Sequence, residues 1–143
     1  MAYPRKPQAK VTGLIVVCEL ANETPGEDGG TCLHFKFGEF ARLNNGMSVL
    51  LREDRGFTSG PLKIANMLTG KYTIPDIDPW AYETADSLEH SVLATIDPDD
   101  PEQEAQDIAD RLRSAGFKVD LASVRAAPWS VKFGERLRQK LDK

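Results

Sequence analysis

The 143-residue chain is 41% hydrophobic and 28% charged, the balance of a globular protein able to bury its own core without disulfides or metals, and too apolar for wholesale disorder. A net charge of −4 excludes a sequence-independent nucleic-acid binder, which needs surplus Lys and Arg to displace counterions, and suits a basic partner instead. No run approaches the roughly 20 apolar residues of a membrane span, so no membrane association is expected.

The first ten residues, MAYPRKPQAK, carry three cations but precede an apolar segment too short for a secretory signal, and read as a flexible cytoplasmic tail ahead of a single domain over 11–143. VTGLIVVCEL, residues 11–20, is rich in β-branched side chains and nearly continuous in apolar character, which predicts a central strand. ANETPGEDGGT, residues 21–31, clusters turn formers and acids without an apolar anchor and predicts a surface loop. CLHFKF, residues 32–37, alternates with Leu33, Phe35 and Phe37 on one face, as a half-buried strand does. Cys18 and Cys32 then fall on neighbouring strands and are expected as free thiols.

Asn44-Asn45-Gly46 between two β-favouring runs predicts a hairpin in which the Asn-Gly pair takes positive φ. A second reversal is expected at 53–56, giving a meander of about four antiparallel strands. Residues 62–68 predict a short helix closed by Gly70. YTIPDIDPWAYE, residues 72–83, reads as irregular. Residues 84–93 predict a helix capped by Thr84, with Leu88 and Val92 on one side, although SVLATI also fits a strand. Residues 100–115 carry Ala105, Ile108, Ala109, Leu112 and Ala115 at helical spacing, with Gly116 as the stop. FKVDL and WSVKF read as short strands, and residues 135–141 as a terminal helix.

IDPDDPEQE, residues 96–104, is the densest acidic stretch and invites a calcium-loop reading. Counting from Asp97, however, Pro101 occupies the fifth position, Glu102 the sixth where a glycine is required, and Ile108 the twelfth where a bidentate glutamate belongs. A helix start accounts for the same residues, with Asp100 as N-cap, Pro101 at the first helical position and Gln103 closing a capping box. His34, His90, Cys18 and Cys32 show no zinc spacing. No nucleophile elbow, Walker lysine or cysteine at a helix start is present, so no catalytic residue, metal or cofactor is assigned.

The segment carrying Tyr72, Asp76, Asp78, Trp80, Tyr82 and Glu83 mixes aromatics with acids and is the candidate partner-binding patch: Trp and Tyr bury large area at small entropy cost, and the acids steer a cationic partner. The competing reading makes Trp80 a roof over the sheet. Residues 62–75 faintly suggest a helix-turn-helix, but Pro75, Asp76, Asp78 and Pro79 stand where a recognition helix belongs.

GMSVLLREDRGFTSG together with DIADRLRSAGFKVDLASVRAAPWSVKF resembles small actinobacterial proteins with no assigned activity. The resemblance implies a bacterial cytoplasmic origin and transfers no site residues. The expected fold is α+β, an antiparallel sheet of about four to six strands with two to four helices packed on one face. The expected function is a small acidic, non-catalytic binding protein of immunity or antitoxin type that occludes a basic protein. The alternatives are an enzyme or ligand-binding domain with a pocket assembled by tertiary contact, and a structural subunit of a phage or secretion assembly.

Overall fold

The computed structural model describes residues 8–142. Most of the expected N-terminal tail, residues 1–7, lies outside them. The part that is described is no tail: β1 (Gln8–Ala9) pairs in parallel with β8 (Lys118–Val119), and Ala9 is buried.

β2 (Val11–Pro25) and β3 (Thr31–Leu43) form one long hairpin. The loop expected over 21–31 is therefore mostly strand, because the polar residues of β2 continue to pair with β3 as far as Pro25 and Thr31, past a register shift after Leu20. Only the Gly26–Gly30 turn remains, closed by the Gly26 N–H donating to the Gly30 carbonyl at 2.9 Å. β3 absorbs two of the expected strands, since the alternation of Leu33, Phe35 and Phe37 runs on unbroken through Glu39, Ala41 and Leu43, all of them buried.

β4 (Ser48–Arg52) follows a four-residue connection, 44–47, in which Gly46 alone takes positive φ, at 86°, and the Leu43 N–H bonds the Met47 carbonyl at 2.8 Å. This is the longer hairpin type, not a two-residue turn with Asn45 also at positive φ. β5 (Gly56–Ser59) pairs with β3 in the same direction as β4, so residues 53–55 interrupt one edge rather than reverse it. The expected second turn is corrected accordingly. Gly56 is required at the re-entry, because a Cβ there would lie 2.1 Å from the Phe35 carbonyl oxygen.

The helix expected over 62–68 is a β-hairpin arm, β6 (Ile64–Ala65) against β7 (Tyr72–Thr73). The Asn66 side chain accepts the Leu68 N–H at 2.9 Å, a local turn that competes with helix, and Gly70, at φ 68°, closes the hairpin rather than a helix. A 3-10 turn (Pro79–Ala81) leads into α1 (Ala85–Ile96), whose N-cap Thr84 exchanges bonds with Ser87 in a capping box. α1 runs to Ile96, so SVLATI is helix. Then come α2 (Pro101–Ser114), β8, α3 (Leu121–Ala126), β9 (Trp129–Phe133) and α4 (Glu135–Leu141). FKVDL keeps only two strand residues, because the Asp120 carboxylate accepts the Ala122 N–H at 3.0 Å and starts α3.

The fold is α+β, and its five-stranded sheet is mixed, not antiparallel: β3 and β9 flank β2, with β9 parallel to it. The chain reaches β9 by a crossover through α1, α2 and α3, which is how a parallel neighbour must be entered. All four helices contribute to cores on one face of this sheet. Ile108, Leu112 and Val124 pack with Leu14, Ala41 and Leu43, while Leu88, Val92, Ile96 and Leu137 pack with Val16, Cys18 and Phe37. Each such buried side chain contributes about 1.5–3 kcal/mol. Gly134, the N-cap of α4, has no side chain to cap with, and Glu19 of β2 does so instead, accepting the Leu137 N–H at 2.8 Å. No helix among the described residues is long and apolar enough to cross a membrane.

Candidate interaction surfaces

The acidic stretch builds a helix end. Asp100 accepts the Gln103 N–H at 3.1 Å with Pro101 opening α2, but the Gln103 side chain donates to Asp107 at 3.0 Å, so the expected capping box does not form. Glu102 pairs with Arg125 on α3, whose guanidinium holds that carboxyl below its usual range. Glu104 pairs with Arg52. Among the described residues no three His, Cys, Asp or Glu side chains are placed to hold a metal ion.

The six residues singled out for partner binding are divided by the structure. Trp80 is 7% exposed, lies in the core with Leu88 and Leu137, and donates its indole N–H to Glu23 at 2.7 Å. It roofs the sheet. Asp78 accepts the Trp80 N–H at 3.1 Å and caps the 3-10 turn. Glu83 accepts the hydroxyls of Ser59 at 2.9 Å and Ser87 at 3.1 Å, tying β5 to α1. Tyr82 is half-buried, Asp76 is exposed, and Tyr72 stands 71% exposed on the arm.

The arm is the apolar surface that sequence reasoning missed. Met67 and Leu68 at its tip are 90% and 97% exposed, and Ile64 and Tyr72 on its strands are exposed with them. Scattered exposed apolar residues are ordinary, whereas four on one short hairpin are a local concentration of the kind that marks interaction sites, with Ile64 and Tyr72 set by the register on opposite faces of the arm. The arm is also locally cationic. No Asp or Glu falls between Arg55 and Asp76, while Lys63 and Lys71 do. Reading residues 62–68 as a helix concealed this, since an amphipathic helix would have turned Ile64 and Leu68 inward.

The opposite charge collects immediately afterwards. Between Lys71 and Arg111 the chain has twelve acidic residues and no Lys or Arg. Asp86, Glu89 and Asp97 of this run are exposed at α1 and its C-cap, and among the described residues none belongs to an ion pair. A count of charge by segment reveals both features where the net charge of the whole chain hides them.

The remaining reactive groups are structurally committed. His34 lies between Thr24 and Thr58, its ring nitrogens 2.7 Å and 3.0 Å from their hydroxyls. Cys18 and Cys32 are free and on neighbouring strands; burial, then the charge of Glu19, pushes the Cys18 thiol up to about 12. Glu39, whose inward phase on β3 is readable from the alternation, is fully buried and held by Arg52 and Arg55, which both also pair with Glu104. This network closes the interruption between β4 and β5 and ties it to α2. No protein-family description, curated protein or solved structure matches the chain.

Proposed function

We propose that the protein is a non-catalytic binding protein that engages a protein partner by surface contact, with the β6–β7 arm as the inserted element. The observation that carries this reading is the exposure of Met67 and Leu68. Leaving such side chains in water forgoes about 1.5–3 kcal/mol each, a loss that a partner recovers by covering them. The partner-binding role expected of Tyr72 fits this arm. The occlusion of a basic partner, in the manner of an immunity protein, attaches instead to the cation-free acidic run that contains Asp76, Asp86 and Glu89.

One cleft favours the ligand-binding alternative. It has a volume of about 410 Å³ and is lined by His90 and Asp97 beside Trp129. Among the described residues, however, no hydrogen bond fixes the His90 ring, which a general base requires.

Affinity capture with the immobilised chain, beside an M67D/L68D variant, from cells that express the gene tests the reading. A protein retained by the wild type and lost by the variant is the expected result. Equal retention by both would remove the arm from the function.

A further inference from the structure

The C-terminal end of α1 is left negative. A helix presents its last carbonyls without intrahelical donors and carries partial negative charge there, which lysines and arginines of the last turn offset. Such cations stand in the last turns of α2 (Arg111 and Arg113), α3 (Arg125) and α4 (Arg138 and Lys140). The last turn of α1 holds none, and its C-cap is Asp97, a second source of negative charge. Asp97 is extended, at φ −61° and ψ 115°, so no left-handed cap closes the helix, and Pro98 has no N–H to give. Among the described residues no backbone N–H beyond the helix donates to the carbonyls of residues 94–96.

This end borders the 410 Å³ cleft, whose walls include Leu93 and Ala94 of α1, its C-cap Asp97, and Trp129 of β9. A second cleft, of about 230 Å³, shares Asp97, Pro98 and Trp129 with the first and runs on past Ile108 of α2 and Val124 of α3. The two therefore meet at Asp97 and Trp129. In the second cleft the charged groups are already matched: Arg125 is held by Glu102, Nε to Oε2 at 2.9 Å, and Glu104 by Arg52. Asp97 is exposed and, among the described residues, belongs to no ion pair. From Lys71 to Arg111 the sequence offers it no Lys or Arg. His90 lines the α1 wall one turn before Ala94; as a neutral imidazole it leaves the charge of the cleft to Asp97.

A carboxylate, a row of helix carbonyls and an indole in one cleft match an organic cation. A bare metal ion is the poorer match, because among the described residues no three His, Cys, Asp or Glu side chains are placed to hold one. A guanidinium answers each part: its N–H groups donate to Asp97 and to the carbonyls, its planar cation is attracted to an indole, and its methylene stem covers Leu93. An ammonium is more strongly hydrated and gives up more on leaving water.

We propose that this cleft is a receptor for an arginine side chain of a basic protein partner. The proposal rests on the reading that the acidic run occludes such a partner, and supplies the point at which one of its side chains is held. The exposed carboxylates Asp86 and Glu89 on the same helix then steer the partner, and the cleft anchors it.

Heteronuclear NMR of the full chain, titrated with N-acetylarginine amide and with its neutral citrulline counterpart, tests it. The chain has two tryptophans, and the indole N–H of Trp80, buried and bonded to Glu23, is the internal control. The arginine compound is expected to shift the Trp129 indole and the amides of residues 93–97 saturably with Trp80 unmoved, and the citrulline compound to need at least about tenfold higher concentration. Asp97→Asn, at an exposed position, weakens the arginine response about three- to fivefold. Ala94→Lys, also exposed, supplies the missing cation from within the helix; it abolishes the response and raises the thermal midpoint. An absent Trp129 shift, equal responses to the two compounds, or an Asp97→Asn response equal to that of the wild type overturns the proposal. If Trp129 does not respond while the wild type and Asp97→Asn capture the same basic protein equally from cells that express the gene, the cleft is refuted and the acidic-run reading survives. If arginine shifts Trp129 but no basic protein is captured, the acidic-run reading fails, and the cleft is left as a site for free guanidinium compounds.

Discussion

Glu39 shows how a single residue joins a local pattern to a tertiary consequence. Its position on β3 turns it inward with Phe37 and Ala41, and a carboxylate is tolerated there because Arg52 and Arg55 reach it from either side of the β4–β5 interruption. Removing one partner of a buried ion pair leaves uncompensated charge. Because Arg52 and Arg55 keep Glu104 as a partner and some contact with solvent, Glu39→Ala is expected to lower stability by about 1–3 kcal/mol, read by urea unfolding; a loss near that of an exposed ion pair would show that the network contributes little. Cys18 makes a pH prediction. With its thiol pushed up to about 12 from 9.0, the folded state keeps a proton that the unfolded chain has released, so this contribution is intact below pH 9 and is lost as pH rises from 9 toward 12. In wild type minus Cys18→Ala, stability should decline across that window; a flat difference would refute it. The inward phase of Glu39 was legible in the sequence, but its two arginine partners were not, since they depend on where β4 stops pairing.

Among the elements, those with a strong internal period came out as read. α2 follows from Ala105, Ile108, Ala109 and Leu112, and β9 from the alternation of Trp129, Val131 and Phe133. Elements whose form depends on a neighbour did not. The polar end of β2 is a strand only because β3 lies beside it, and residues 53–55 fail to reverse because β3 continues to supply partners to β5. The arm is the extreme case: two residues per strand, no core contribution, and a turn set by Asn66 and Gly70. Its independence is testable. Replacing residues 63–71 with a short glycine–serine link should leave the thermal midpoint unchanged to within a few degrees, because no buried side chain is removed. A large drop in calorimetry would mean that the arm supports the core.

For the molecule as a whole, charge is distributed by segment: a cationic apolar arm, then a cation-free acidic run through α1 and most of α2. Of the six residues first placed in one patch, Tyr72 stands on the arm, Trp80 closes the core, and Asp78 and Glu83 hold the chain between arm and α1. Composition and spacing alone determined the α+β class, the helical cap in the acidic stretch and most core positions, because these depend on residues near one another in the chain. Tertiary structure alone decided the parallel entry of β9, the burial of Trp80 and the ion-pair network around Glu39, because each depends on which distant strand or helix comes to lie alongside.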